Sequence, residues 1–260
     1  FDRIAHHDHF CFFGNVELGK HVSIDDLLAH YHAVILATGA QTDRALGIPG
    51  EDLKGSFSAT EFVAWYNGHP DFADRSFPLD ATDVVVVGVG NVAIDVARIL
   101  CKTPAELEGT DIADYALDAL KAAAVRDVYM LGRRGAAQAA FTTPEARELG
   151  ELADADVLVD APDLDGSALF HAGEDRETQS KITAIRDLMA REPRDARKRL
   201  HLRFLTSPIE LLGDESGRVR AVRTARNELV AGADGSIKAR QTAVEDEIPA
   251  QLVFRSVGYR

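Results

Sequence analysis

The clearest feature of the hydrophobic pattern is the stretch TDVVVVGVGNVAIDVARILC, residues 82–101. Its near-continuous apolar run is typical of a strand buried on both faces, as in a parallel sheet that helices cover. After two glycines, apolar residues recur at helical spacing at Val92, Val96, Ile99 and Leu100. The pattern therefore predicts a strand, a tight turn and an amphipathic helix in direct succession.

Strands and helices alternate along the rest of the chain. Apolar runs predict buried strands at 33–40, 128–131 and 155–162, and helical patterns cover 58–68, 103–124, 143–152 and 177–192. From residue 201 onward the chain is strand-rich, and GDESGRV and GADGSI have the composition of tight hairpin turns. We thus predict an α/β fold in which a βαβαβα unit is followed by a β-meander and one final strand.

The turn after the valine strand has the spacing Gly88-x-Gly90-x-x-Ala93. The first glycine permits the tight turn, the second lets a pyrophosphate approach the backbone, and the small third residue lets helix and strand pack closely. Free N–H groups at the start of the helix then face the phosphates. Glycines needed only for packing produce the same spacing, but the strand and helix on either side favour a dinucleotide site.

Two adjacent arginines, Arg133 and Arg134, follow the next buried strand in YMLGRRG. In an NAD site, an acidic residue ~20 residues after the glycine turn usually binds the ribose 2′-hydroxyl. Guanidinium groups instead form bidentate, charge-assisted bonds to phosphate. A solvated strand end could have the same composition, but the glycine turn nearby favours the 2′-phosphate of NADP as the ligand of this pair.

Charge and cysteine content narrow the class of protein. The chain has 29 basic and 42 acidic residues and a formal charge of −13, which argues against nucleic acid as the main partner. Its two cysteines, Cys11 and Cys101, form no C-x-x-C motif, so we expect a reduced, cytoplasmic protein. No apolar run approaches the ~18 residues of a membrane span.

Two further groups of residues could either bind a ligand or have only a structural role. The stretch AHHDHF offers His6, His7, Asp8 and His9 as metal ligands. These residues are contiguous and do not converge from separate elements, so we favour a solvated turn and predict no metal site. The aromatic pair in WYNG, Trp65 and Tyr66, could stack on a cofactor, but on an amphipathic helix such a pair more often belongs to the core.

Taken together, GNVAIDVARIL and GRRGAAQAAFTTPEAREL resemble the adrenodoxin-reductase-like ferredoxin–NADP reductases, and most of all their actinobacterial-type members. The stretches FFGNVELG, FVAWYNG, RFLTSP and LVFRSVGYR are similar to this family in the same order. The resemblance therefore covers essentially the whole chain, and the combination is more specific than any one motif.

The resemblance implies functional residues by position. The implied pyrophosphate contacts of NADP are Gly88, Val89, Gly90, Asn91 and Val92. Arg133 and Arg134 fall where the family holds the 2′-phosphate, and Glu145 falls where an acidic residue contacts the nicotinamide side of the cofactor. Glu148 is a candidate catalytic residue for a proton relay near the flavin. The implied FAD contacts are Leu18, Thr38 and Gly39.

The resemblance also implies how the chain is divided. We expect a partial FAD-binding domain at 1–42, an NADP-binding domain at 43–246 and a second part of the FAD-binding domain at 247–260. The implied fold is a Rossmann-like three-layer NADP-binding domain with a β-meander, inserted into remnants of an FAD-binding Rossmann-like domain. The glycine-rich FAD turn of the family is not found, so we expect a fragment that is inactive alone.

The implied function is the NADP(H)-binding part of a flavin-dependent ferredoxin–NADP reductase, in which hydride passes between NADPH and FAD and electrons pass to or from ferredoxin. The implied docking residues for the acidic ferredoxin are Arg197, Lys198 and Arg199, although a run of charge is often merely solvated. Two alternatives are a glutamate-synthase small-subunit-like NADPH:flavin oxidoreductase, which shares ATGA and IPGE, and a non-catalytic NADP-sensing module.

Overall fold

The computed structural model describes residues 2–39, 43–164, 175–232 and 236–258. The chain divides into two compact units, Phe1–Gly39 and Ala40–Arg260. The helices are α1 (Asp2–Ala5), α2 (Ile24–His30), α3 (Ala59–Tyr66), α4 (Asn91–Cys101), α5 (Pro104–Glu108), α6 (Asp114–Lys121), α7 (Thr143–Leu149) and α8 (Arg176–Met189). The strands are β1 (Ser56–Ser58), β2 (Asp83–Val87), β3 (Asp127–Leu131), β4 (Ala155–Asp160), β5 (Lys198–Arg203), β6 (Thr206–Gly213), β7 (Val219–Ala231), β8 (Ile237–Pro249) and β9 (Leu252–Arg255).

The first unit has little regular structure besides α2. This helix begins after Ser23, whose hydroxyl accepts a hydrogen bond from the Asp26 amide at 3.0 Å while the Asp26 carboxylate accepts one from the Ser23 amide at 2.9 Å. The strand predicted at 33–40 is wrong for residues 33–39, which are irregular, and Ala40 lies outside the described residues. Ile35 is 89% exposed, because no neighbouring strand pairs with this segment within the described part of the unit.

The second unit is built on a parallel sheet with the strand order β1-β9-β2-β3-β5-β4. Val87 at the end of β2 is in register with Leu131 at the end of β3, which in turn is in register with Arg203 at the end of β5. The segments that follow these strands therefore emerge side by side at one edge of the sheet.

The final strand β9 lies between β1 and β2 in this same sheet. The family resemblance assigns 247–260 to the FAD-binding domain, and in the structure β9 lies in the sheet that carries the glycine turn. Only long-range pairing decides this position, because the apolar run of β9 suits any buried strand. The division of the chain by cofactor stays a prediction.

Strand β2 is buried on both faces, as its run of valines predicts. Val84 and Val86 pack in one core cluster with Ile94 of α4 and Ile185 of α8. On the other face, Val85 and Val87 pack in a second cluster with residues of the antiparallel sheet β6-β7-β8, including Leu211, Val222 and Ile248. The three layers expected from the sequence are therefore helices, parallel sheet and antiparallel sheet, and the β-meander takes the place of helices on the second face.

Helix α3 confirms the structural role of the aromatic pair. Ser58 caps the helix and accepts a hydrogen bond from the Thr60 amide at 3.1 Å. Trp65 and Tyr66 are buried against Phe62, with the ring centroids of Trp65 and Phe62 5.5 Å apart. Both aromatic residues therefore belong to the core.

Two helix boundaries differ from the sequence analysis. The helical pattern at 103–124 forms two helices, α5 and α6, because the chain ends the first at Gly109. Helix α7 ends at Leu149, earlier than the predicted 152, and its N-cap residue Thr142 makes no side-chain capping bond. Among the residues that the structure describes, no helix has the length and apolarity to cross a bilayer.

Candidate functional site

The turn between β2 and α4 requires glycine at its first position. Gly88 has φ +132°, and a Cβ there would lie 2.1 Å from the backbone oxygen of Ser256. The approach is held by backbone hydrogen bonds on both sides: the Gly88 amide donates to the Leu131 oxygen at 2.9 Å, and the Ser256 amide donates to the Val87 oxygen at 2.8 Å. This glycine is therefore needed for the fold of the turn.

The second glycine of the turn serves a different purpose. Gly90 has an ordinary φ of −102°, and a Cβ there would have no atom within 4 Å. Gly90 is also the N-cap of α4, so the helix begins without a side-chain cap, and its first turn contains no acidic residue. The open space and the uncapped N–H groups together suit an anion that approaches the backbone.

The two arginines follow β3 directly beside this turn. The Gly132 amide donates to the Arg203 oxygen at 2.8 Å, and a Cβ on Gly132 would lie 3.0 Å from Cγ1 of Val89. Arg133 is exposed and Arg134 is half-buried, and neither guanidinium has an ion-pair partner among residues 2–39, 43–164, 175–232 and 236–258. Two uncompensated positive charges thus follow the strand next to the glycine turn.

Helix α7 is joined to the same turn. The Val89 oxygen accepts hydrogen bonds from the amides of Ala140 at 3.0 Å and Phe141 at 3.2 Å, just before the helix begins. Within α7, one carboxylate oxygen of Glu145 is buried and has no hydrogen-bond partner in the described part of the chain. A ligand that donates a hydrogen bond, such as an amide, would satisfy it.

An arginine of α4 connects this helix to α7. Arg98 pairs with Glu148 of α7 at 2.7 Å and with Asp95 of its own helix at 3.4 Å. Burial raises the pKa of Asp95; Arg98 opposes the rise, and the charges of Glu145 and Glu148 add to it. Arg98 and Asp95 are not among the residues predicted from the sequence, although their i, i+3 spacing on the helix is a signal of a charged face.

A cavity of about 270 Å³ opens at the carboxyl ends of β2 and β9. Its lining includes Gly90, Asn91, Val92 and Ser256 together with Arg255, whose guanidinium bonds to the Ser56 hydroxyl at 2.9 Å and lies 3.5 Å from the Glu51 carboxylate. Ligands of open parallel sheets bind at this end of the strands. No local signal in LVFRSVGYR indicates that Arg255 lies at the cavity.

The implied FAD contacts and the histidine stretch belong to the first unit. Leu18 there is 39% exposed, Thr38 is exposed, and Gly39 has φ +67°. In AHHDHF, His6 binds the Asp2 oxygen and His7 accepts from the His9 amide. The described residues contain no group of three or more His, Cys, Asp or Glu side chains arranged to hold a metal ion.

The three basic residues predicted for ferredoxin docking lie at the amino end of β5, at the opposite edge of the sheet from the glycine turn. Arg197 pairs with Asp154, and Arg199 pairs with Asp127 at 2.6 Å. Lys198 donates to the Leu100 oxygen at 2.7 Å, at the carboxyl end of α4. Each of the three therefore has a partner within the chain.

Comparison with known proteins identifies relatives of the whole chain. It is 48% identical over 261 residues to the NADPH-ferredoxin reductase FprA of Mycobacterium leprae, covering 100% of this chain and 57% of the relative. It is 38% identical over 271 residues to the mitochondrial NADPH:adrenodoxin oxidoreductase of Arabidopsis thaliana, covering 100% of this chain and 56% of the relative. No family model matches.

A solved structure has the same fold. The Mycobacterium tuberculosis FprA in complex with NADPH matches with a TM-score of 0.90 and 48% identity, covering 100% of this chain and 57% of that one. The chain thus spans little more than half the length of the relatives it matches. The resemblance stated from the sequence is confirmed over all of this chain, and the α/β fold is confirmed with it.

Proposed function

Because the chain is homologous over its whole length to NADPH–ferredoxin and NADPH–adrenodoxin reductases, we propose that it is the NADP(H)-binding part of a flavin-dependent ferredoxin–NADP reductase. The observation that supports this most is a convergence at one edge of the sheet. An uncapped glycine turn, two arginines without an ion-pair partner among the described residues, and the start of α7 meet there. When bound, NADPH supplies the hydride, with FAD of the complete protein as its acceptor.

The glycine turn receives the pyrophosphate. Gly90 leaves room for a phosphate against the backbone, and the uncapped amides of Asn91 and Val92 are available as donors at the positive end of α4. Val89 shapes the same surface, since its backbone oxygen fixes the segment before α7 and its side chain covers Gly132.

Arg133 and Arg134 select NADPH over NADH. A guanidinium that binds a phosphate contributes roughly 1.5–3 kcal/mol as a hydrogen bond to a charged group. By the same scale, losing one such contact should weaken NADPH binding by about 10- to 150-fold. NADH has no 2′-phosphate and should not be affected.

Two carboxylates of α7 complete the site. The unpartnered oxygen of Glu145 accepts a hydrogen bond from the nicotinamide side of the cofactor. Glu148 is held against α4 by Arg98 at 2.7 Å, and we retain it as the proton-relay residue. Both roles rest on the family resemblance together with the position of α7 beside the turn.

We propose the remaining features of the parent protein by homology. Leu18, Thr38 and Gly39 contact FAD, a ferredoxin or adrenodoxin is the electron partner, and the protein works in the cytoplasm. Both cysteines are free, which is usual in a reducing compartment. The relatives found do not favour the glutamate-synthase-like protein or the NADP-sensing module.

Titration with NADPH and NADH tests the cofactor. The intact protein should bind NADPH more tightly, and Arg133→Ala with Arg134→Ala should abolish the difference without weakening NADH. Arg147→Ala on α7 is the matched control, because it removes another exposed arginine near the site. Equal affinities of the wild-type protein for the two nucleotides would contradict the proposed function.

Docking of ferredoxin at Arg197, Lys198 and Arg199 stays a proposal with its own test. Arg197→Glu with Arg199→Glu should slow ferredoxin reduction by the intact protein, whereas Arg220→Glu on β7 should not. Because both arginines have acidic partners in the chain, the unfolding midpoint of each variant is measured in parallel. Unchanged ferredoxin reduction by a folded double variant would exclude this docking surface.

A further inference from the structure

Residues 132–134, here called the arginine loop, are held by hydrogen bonds from residues outside β3. The Gly132 oxygen accepts from the Thr206 amide at 2.9 Å, and the Arg134 oxygen accepts from the Leu205 amide at 3.1 Å. Between them, the Arg133 oxygen accepts from the side-chain Nδ2 of Asn227 at 2.7 Å. Three successive carbonyls are thus fixed by the segment that leads into β6 and by one side chain of β7.

Asn227 is the side chain in this arrangement, and it is itself tightly held. Asn227 is 4% exposed, and its side-chain Nδ2 also donates to the Ser207 hydroxyl at 2.8 Å. Its backbone N–H donates to the Leu205 backbone oxygen at 2.7 Å. The register of β7 against β8 shifts between Ala225 and Asn227, so the strand is irregular at this point.

The residue between the loop and Asn227 has an unusual backbone. Leu205 has φ +52°, a left-handed conformation that a bulky side chain rarely adopts. Such a conformation persists only where the surrounding structure determines it, and Leu205 is bonded to Arg134 on one side and Asn227 on the other. The irregular point of β7 and the strained residue are therefore both hydrogen-bonded to the arginine loop.

We propose that Asn227 is a positioning residue that orients Arg133 toward the 2′-phosphate and thereby determines the preference for NADPH over NADH. This inference rests on the proposed function, since it assumes that the arginine loop binds that phosphate. Bidentate recognition needs the planar guanidinium in one orientation, so an anchored backbone matters more here than for a single point charge. The antiparallel sheet, which lies away from the helix layer, therefore acts on cofactor choice through one amide group.

The experiment uses the intact protein and two fragments of the cofactor, 2′,5′-ADP and 5′-ADP, with calorimetric titration. Asn227→Ala should weaken 2′,5′-ADP about tenfold, on the scale of one charge-assisted contact, and leave 5′-ADP within about twofold. Ser207→Ala is the matched control, because it removes the other acceptor of Nδ2 and leaves the bond to Arg133. Asn227→Leu, which fills the space, is the second variant if the alanine leaves a cavity that unfolds the protein.

A double-mutant cycle separates positioning from general damage. If Asn227 acts through Arg133, then Asn227→Ala should have no further effect on 2′,5′-ADP binding in the Arg133→Ala background. Additive losses, or equal losses for both nucleotides in a folded variant, would overturn the inference. If the wild-type protein does not prefer 2′,5′-ADP, the proposed function itself fails. If the wild-type protein prefers 2′,5′-ADP and Asn227→Ala keeps that preference, only the role of Asn227 is refuted.

Discussion

Replacing each glycine of the turn by alanine should separate folding from binding within one motif. In Gly88→Ala, the new Cβ would lie 2.1 Å from the Ser256 oxygen at a φ of +132°. In Gly90→Ala, the new Cβ would meet no atom within 4 Å at a φ of −102°. We therefore expect the first variant to lose stability and the second to lose affinity for the cofactor.

The magnitudes follow from the contacts. The Ser256 oxygen must move by about 1 Å or more to reach an ordinary van der Waals distance, and this disturbs the bonds from Gly88 to Leu131 and from Ser256 to Val87, each worth roughly 1 kcal/mol. With the backbone conformation disfavoured for alanine, Gly88→Ala should lower the free energy of unfolding by about 3 kcal/mol. Gly90→Ala changes only the helix cap, at about 0.5–1 kcal/mol.

Urea unfolding without nucleotide and titration with NADPH measure the two effects. Gly90→Ala should bind NADPH at least about tenfold more weakly, because its methyl group occupies the space of the phosphate. Wild-type NADPH affinity in Gly90→Ala would refute the close approach of a phosphate at this glycine. Wild-type stability in Gly88→Ala would refute the steric argument from Ser256.

Three further predictions concern groups outside the turn. Burial lowers the pKa of His201 despite its hydrogen bond to Asp127. The unfolded chain therefore binds the proton more tightly, and the protein should lose stability as the pH falls below about 6.5. His201→Gln should flatten this part of the pH dependence of urea unfolding, and the same loss of stability in the variant would contradict the prediction. Burial raises the pKa of the Cys101 thiol to about 12. A thiol reagent at mildly alkaline pH should therefore modify only the exposed Cys11 until denaturant is added. Mass spectrometry that shows both cysteines labelled in the native protein would disprove this prediction. Lys198→Met removes a cation that donates to two backbone oxygens at the carboxyl end of α4. In a urea titration, the variant should have a free energy of unfolding that is lower by about 1–2 kcal/mol. An unchanged midpoint of urea unfolding would contradict this and leave Lys198 free for docking.

Local sequence patterns correctly predict the elements whose conformation depends on residues close together in the chain. The strand, glycine turn and helix at 82–101 follow from apolar periodicity and from the conformational freedom of glycine, so their prediction is confirmed. The apolar run at 33–39 wrongly predicted a strand, because a strand needs a neighbouring strand to pair with its backbone. An apolar run alone does not indicate whether that neighbour is present.

The partners of the site residues could not be predicted in the same way. Asn227 lies 94 residues from the arginine that it holds, and Arg255 reaches Ser56 across a separation of 199 residues. Neither residue has a motif around it, since a single side-chain bond leaves no periodic signal. The predicted docking residues Arg197 and Arg199 pair with aspartates far away in the sequence, Asp154 just before β4 and Asp127 at the start of β3, and no local pattern indicates these pairs.

Local sequence encodes the parts of the proposed cofactor site: a glycine turn, two arginines after the next strand, and a helix with two glutamates. These features are encoded within a few residues of one another, where backbone conformation and side-chain type act directly. Which of these features meet, and how firmly they are held, depends on contacts between distant segments. The tertiary structure places β9 beside β2, covers the second face of the parallel sheet with the meander, and brings Asn227 to the arginine loop, because strand pairing and burial depend on segments far apart in the chain.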